Sequence, residues 1–349
     1  MKVKRIVGQL KAKFQDSVGK PHKNLEDSPI LGRIIRKSKA LVLPGFQGVP
    51  LYTVMGYFAK SLGKGVIFQR AAAMTYRVFV ALIPMIIALF SVIAFLGTNL
   101  QQTLLTMLES FVPSYVWPAV SGMITDVITR QNGTLSSVML FFGLYFTIIC
   151  INGLLAAFNN SYFNSMSKPR NLVKQLLLSA EIMVIAFFII LLVVMLFISA
   201  SLVMNYVHGH FFGSGKGYFL AVHGLKWIFT YAAIYFLISI IYYLAPVNKK
   251  NYTFFSAGSS TCTILLVVLL WVLNLYFSNF SNYNVIYGSL GAIFAILLWI
   301  NWSSLIVLVG FDLNVSIAKA KERKQLQLSL QKPLEAFSAE SEESDKINV

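Results

Sequence analysis

A chain of 349 residues in which 57% are hydrophobic and only 12% charged is poorly suited to water, because soluble domains carry about 25% charge. Its formal charge of +16 would fit nucleic acid in a soluble protein. At this hydropathy the negative leaflet of a membrane is the better counterpart, and no nucleic-acid partner is expected. The two cysteines, Cys150 and Cys262, both lie inside apolar runs, which excludes a disulfide or cysteine-based metal framework.

Met1 to Lys20 is basic but lacks the unbroken apolar core of a cleavable signal. Val3, Ile6, Val7, Leu10 and Phe14 recur at helical spacing among Lys4, Arg5, Lys11 and Lys13, and Ile30, Leu31, Ile34 and Ile35 repeat the pattern beside Arg33, Arg36 and Lys37. Basic amphipathic segments of this kind lie on an anionic leaflet or pack as ordinary helices against the end of a bundle, and both readings stand. Pro44-Gly45 and Pro50 separate two short helices. Residues 1–65 therefore read as a cytoplasmic, interfacial segment.

A membrane helix needs about 20 predominantly apolar residues. Six stretches qualify, at about Val78–Leu96, Leu135–Phe158, Ile182–Met204, Trp227–Ala245, Phe254–Phe277 and Tyr287–Phe311. No charge appears between Lys250 and Asp312, but Ser278-Asn279-Phe280-Ser281-Asn282-Tyr283-Asn284 favours a turn and divides that run into a hairpin of two spans. Only helices satisfy an isolated backbone in lipid. The expected fold class is all-α: a polytopic bundle of six transmembrane helices over residues 66–318, with amphipathic N-terminal helices and a helical extracytoplasmic loop.

Of the 29 Lys and Arg residues, 26 fall on one side of these spans and 3 on the other. Without residues 1–77 the split is still 11 to 3. The positive-inside rule then places both termini in the cytoplasm. The outer loop from Gly97 to Thr134 carries Leu104, Leu105, Leu108, Phe111 and Val112, then Val120, Ile124, Val127 and Ile128. These predict two amphipathic helices broken at Pro113 and Pro118, which cap the bundle or lie at the outer lipid interface. Residues 319–349 are polar, acidic from Glu335 to Asp345, and read as a disordered cytoplasmic tail.

The candidate site residues are few. With those span limits no ionisable residue sits in mid-span: Glu181 and Asp312 fall at cytoplasmic helix ends, and Arg77 at the start of the first span. That weighs against a pump with a midplane carboxylate. Asn152, Asn274 and Asn301 are the deep polar groups. They read either as interhelical hydrogen bonds or as a polar track for a head group. Gly153-Leu154-Leu155-Ala156-Ala157 gives Asn152 a small-residue face, which favours close packing. His208, His210 and His223 lack a cysteine or carboxylate in their loop, so no metal site is expected. Gly213-Ser214-Gly215-Lys216-Gly217 lacks the Ser or Thr and the spacing of a phosphate loop. No nucleophile and base stand at useful spacing, so no catalytic residue, no cofactor and no enzyme activity are expected.

Three segments together resemble the YihY/BrkB family of bacterial inner-membrane proteins, once labelled ribonuclease BN-like. The first is Arg70-Ala71-Ala72-Ala73-Met74-Thr75-Tyr76, running on through Phe79 to Pro84. The second runs from Asn152 through Leu155, Phe158, Asn159 and Tyr162 to Lys168-Pro169-Arg170. The third is Ser278-Asn279-Phe280 through Tyr287-Gly288-Ser289-Leu290-Gly291-Ala292, then Leu297-Leu298-Trp299 and Gly310-Phe311-Asp312-Leu313-Asn314. The resemblance covers roughly residues 60–320. Arg77 departs from it, since related sequences more often carry an uncharged residue there, and a salt bridge from Arg77 to Glu181 or Asp312 would accommodate it. The resemblance implies a link to serum resistance and to envelope lipid or lipopolysaccharide traffic. The leading expectation is thus an envelope transporter for a lipid or lipid-linked molecule, with Asn152 and Asn301 lining its path and Arg70 and Arg77 holding an anionic head group. The alternatives are an ion or small-solute transporter and a non-transporting membrane scaffold. Membrane lipids are the expected partners, including the anionic cytoplasmic leaflet for the N-terminal segment, and self-association is left open.

Overall fold

The computed structural model of the protein describes residues 38, 41–43, 45–64, 66–94, 133–161, 170–210, 216–247, 251–279 and 289–347, with single positions between 102 and 124. Seven helices run through these segments: α1 Leu51–Lys64, α2 Ile67–Ala94, α3 Gly133–Asn159, α4 Leu172–His210, α5 Lys216–Leu244, α6 Ala257–Asn279 and α7 Ser289–Ile347. Helices α2 to α7 each contain a stretch long and apolar enough to cross a membrane, so the chain is a six-span helical bundle. The basic amphipathic segments before residue 38, the side chains of His208, His210 and His223, the 213–215 stretch and the hairpin turn at 280–288 lie outside the described residues.

Each spanning helix packs against the next along the chain, and α7 returns to α2, so the six close into a ring. The closure also seats α1 on the extension of α7. Phe46, Val49 and Val54 are buried there against Leu313, Ile317 and Ala320. The N-terminal helix and the C-terminal extension thus share one end of the bundle, called here the proximal end. Polar contacts tighten it: Lys321 Nζ donates to Gln47 Oε1 at 2.9 Å, Arg323 to the Tyr57 hydroxyl at 2.8 Å and Lys324 to the Gly48 carbonyl at 2.8 Å.

Two apolar clusters fill the ring. The proximal one draws on all six spans: Ile67, Ala71 and Met74 of α2, Leu155 and Phe158 of α3, Ile182 of α4, Ile238 and Tyr242 of α5, Cys262 of α6, and Leu308, Phe311 and Val315 of α7. The distal one joins Val193 and Val194 of α4, Leu273 and Phe277 of α6, and Ala295, Ile296 and Ile300 of α7 to Val112 and Ile124 of the 97–134 loop. Helical positions are found among the described residues of that loop, and Val112 and Ile124 are buried in this cluster, so that part of the loop packs on the bundle.

The α6–α7 crossing is a close one. Gly258 lies against the carbonyl of Gly310, and a Cβ on Gly310 would meet the Tyr242 hydroxyl at 2.7 Å and Cys262 Cβ at 2.8 Å. Small residues are what let two membrane helices approach in this way. The crossing also caps α6. Ser256 Oγ accepts from the Ser259 amide and Ser259 Oγ from the Ser256 amide, a reciprocal cap. Asn314 of α7 completes it, its Oδ1 accepting from the Gly258 amide at 2.8 Å and its Nδ2 donating to Ser256 Oγ at 2.8 Å.

Three boundary expectations change. The helix that carries the first span begins at Ile67, ahead of Val78, and the one that carries the third at Leu172, ahead of Ile182. Apolar counting stops at the last charge, whereas α2 keeps Arg70 inside by pairing it and carries Arg77 at its surface, and α4 carries Glu181 on its outer face. All three lie inside spanning helices and not at their ends. Residues 319–347, expected as a disordered tail, are helical as the continuation of α7. The first turns of that continuation pack on α1, and Lys319-Ala320-Lys321-Glu322-Arg323-Lys324 are good helix formers with an i, i+3 ion pair from Lys319 to Glu322.

Gly258→Ala would force the α6 and α7 backbones apart and should lower stability by about 1–3 kcal/mol. Gly56→Ala in α1, where an added Cβ meets nothing within 4 Å, should raise stability by roughly 0.5–1 kcal/mol. Thermal unfolding of the detergent-solubilised variants checks both, and an unchanged midpoint for Gly258→Ala would refute the close crossing.

Candidate functional site

On α2, Ile67, Ala71 and Met74 face the core at helical spacing, and on α7 Leu308, Phe311 and Val315 do the same. Each stripe holds one charge, Arg70 on α2 and Asp312 on α7. Because α7 packs against α2, the two opposite charges meet inside the proximal cluster. Arg70 Nη1 donates to Asp312 Oδ2 at 3.1 Å and Nη2 to Oδ1 at 3.3 Å, in a bidentate pair. The side chains are 5% and 0% exposed, so the pair is removed from solvent.

Further hydrogen bonds come from α1 and from α3 and its end. Ser161, just past the end of α3, donates to Asp312 Oδ1 at 2.7 Å, and Ser61 of α1 donates to Oδ2 at 3.3 Å. Arg70 Nε donates to the Ala157 carbonyl of α3 at 2.9 Å. One carboxylate thus ties α1, α2, the end of α3 and α7 together. Asn159 Oδ1, two residues from Ser161, is buried with no hydrogen-bond partner among the described residues. Beside the pair, the Phe158 and Phe311 rings stack at 4.1 Å with Tyr242 edge-on to both at 5.7 and 5.6 Å. The Tyr242 hydroxyl donates to the Val307 carbonyl at 2.6 Å, which satisfies its polar tip. The aromatic triplet packs within the proximal cluster next to the ion pair.

The expected polar track does not form as one feature. Asn152 Oδ1 accepts from Gln175 Nε2 at 2.7 Å across α3 and α4, and Asn301 Nδ2 donates to Thr75 Oγ1 at 3.1 Å across α7 and α2. These are two separate interhelical pairs, the arrangement expected of packing groups. Asn274 lies on the outer face of α6 and Glu181 on the outer face of α4. Asp312 pairs with Arg70, not Arg77, and among the described residues Arg77 has no carboxylate within ion-pair distance. Arg70 is correspondingly a buried partner and not an open cation at a mouth. Arg77 lies over Gly153, its Cδ and Nη1 taking the space a side chain there would occupy.

Sequence reasoning missed Ser61, Ser161 and the cap formed by Asn314. It also missed the work of Arg170, which donates to the carbonyls of Leu244 at 3.1 Å, Ala245 at 3.1 Å and Pro246 at 2.7 Å. A cation there satisfies the end of α5 and opposes its dipole, although burial lowers the pKa of its guanidinium. Near Ser256 and Asn314 a crevice lined also by Gly45, Gln47, Asn251 and Thr253 has room for about one water. Among the described residues, no three His, Cys, Asp or Glu side chains stand together as metal ligands.

Comparison with known proteins gives the same picture. The family described as virulence factor BrkB matches residues 58–333. A putative ribonuclease-like protein, YfkH, of Bacillus subtilis is 21% identical over 254 residues, covering 73% of this chain and 91% of its own. The UPF0761 membrane protein NT05HA_1801 of Aggregatibacter aphrophilus is 21% identical over 263 residues, covering 74% and 90%. A UPF0761 membrane protein of Xanthomonas oryzae is 27% identical over 261 residues, covering 72% of this chain and 57% of its own. No solved structure matches.

Breaking the ion pair from one side leaves a buried charge alone. Asp312→Leu should therefore cost about 3–5 kcal/mol, whereas Arg70→Met with Asp312→Leu should recover most of that loss. A double-mutant cycle by unfolding in detergent measures the coupling, and additive effects would contradict it.

Proposed function

This chain belongs to the BrkB virulence-factor family, and from that premise we propose that it is a transporter of the bacterial inner membrane that moves a lipid or lipid-linked molecule, with both termini in the cytoplasm. The orientation rests on the excess of Lys and Arg on the proximal side. No residue is assigned a catalytic role in this reading.

The observation that carries it is the Arg70–Asp312 pair. A buried ion pair adds little net stability over well-packed apolar groups, and its best-attested use is to fix a register or to switch. Here it stands where α1, α2, α3 and α7 converge, beside the aromatic triplet. The present arrangement is the closed one, in which each charge satisfies the other. Opening exposes Arg70 to an anionic head group, whose phosphate or carboxylate replaces Asp312 as its bidentate partner. The energetic cost of separating the charges is thereby met only when a suitable substrate is present, which couples opening to loading. Ionisable groups within membrane spans mark substrate pathways often enough to make this the first reading to test.

The test is head-group-labelled lipid translocation in liposomes reconstituted with the full chain. Labelled anionic and zwitterionic lipids are quenched from outside, with and without an imposed ion gradient. The wild-type protein should move the anionic lipid faster than empty liposomes do. The Arg70→Met, Asp312→Leu double variant should fold and lose at least about tenfold in rate, because its apolar seal has no charge to exchange. Wild-type flux equal to that of empty liposomes under both conditions would remove the transport reading and favour a scaffold.

A further inference from the structure

We infer that the groove between α2 and α3 at Arg77 is a binding site for the phosphodiester head group of an anionic phospholipid. Arg77 lies seven residues beyond Arg70 on α2, about 10 Å farther along the helix, and its side chain is exposed at the bundle surface. A cation on the outside of a membrane span is costly unless it reaches the head-group layer or gains an anion. Among the described residues it has no carboxylate partner, and the acid on α4, Glu181, forms no ion pair with it.

The groove supplies donors and no acidic group. Gly153 leaves the space that Arg77 Cδ and Nη1 fill, so the absent side chain sets the position of the guanidinium. The planar fork of donors on the guanidinium suits a phosphodiester.

The level of the groove suits a lipid and not a free ion. Gln175, the partner of Asn152, is only three residues into α4, so the site lies near the proximal end of the spans, within the reach of a snorkelling arginine. On α2 itself the neighbouring Tyr76 and Val80 are exposed and apolar, open to lipid. Head-group donors above a bare apolar wall are the complement of a phospholipid. The site adds to the transport reading without depending on it, because binding is measured here without flux.

The experiment is native mass spectrometry of the full chain in mild detergent, titrated with phosphatidylglycerol or with phosphatidylcholine. Wild type should retain phosphatidylglycerol in preference to phosphatidylcholine. Arg77→Gln should weaken phosphatidylglycerol retention about tenfold and leave phosphatidylcholine unchanged, with Arg77→Lys intermediate because it keeps the charge but loses the fork. Gly153→Ala, which displaces the guanidinium and keeps its charge, should also weaken retention. Undiminished retention in both Arg77→Gln and Gly153→Ala would overturn the proposal. So would an equal loss of both lipids, or displacement by millimolar inorganic phosphate, which would make the groove a free-anion site.

Discussion

Two opposite charges on apolar helix stripes have one inexpensive place to go, which is against each other. Arg70 and Asp312 are both buried in an apolar cluster, and leaving either charge unpaired would cost more than most single contacts in the bundle return. Pairing them fixes the rotation of α2 against α7 and their relative height. The same carboxylate then sets α1 through Ser61 and the end of α3 through Ser161. The closed ring, the stacked Phe158 and Phe311 rings and the seat of α1 on α7 all follow from that register.

Side chains pack the ring at both levels: the aromatic rings and the ion pair proximally, and distally the α4–α6–α7 cluster with Val112 and Ile124. In the transport reading proposed above, a polar head group has two routes. One opens the proximal joint, where charge exchange gives the energetic means. The other follows the outer surface, where Arg77 and Glu181 are among the exposed polar groups of a largely apolar wall. The routes are compatible if a lipid first docks at the α2–α3 groove and then reaches the joint about 10 Å away along α2.

Six spans and their all-helical class were legible because hydropathy over about 20 residues is a property of local sequence. Where the spans start was not, since a charge ends an apolar count even when tertiary structure neutralises it, as at Arg70, or leaves it at the surface, as at Arg77 and Glu181. The pairing of Arg70 with Asp312 left a usable trace. Ile67, Arg70, Ala71 and Met74 follow the same i, i+3, i+4, i+7 spacing as Leu308, Phe311, Asp312 and Val315, with one charge of opposite sign in each. Reading Arg77 as the partner ignored that it sits at the edge of its stripe. Ser61 and Ser161 carried no such trace, because a single hydroxyl near a helix end has no periodicity to betray its partner. The resemblance segments were informative about structure in retrospect: Arg70, Arg170, Gly310, Asp312 and Asn314 all lie within them, and each makes a joint between helices.

The claim that one carboxylate holds the proximal end together is tested most directly by cross-linking in native membranes. Ser61→Cys and Ser161→Cys, in a background with Cys150→Ser and Cys262→Ala, would place two thiols around Asp312. A short bifunctional thiol reagent should join them within one chain, and the Asp312→Leu replacement should abolish the link by releasing α1 and the end of α3. Absence of the link with Asp312 intact, or an equal yield after its replacement, would contradict the account.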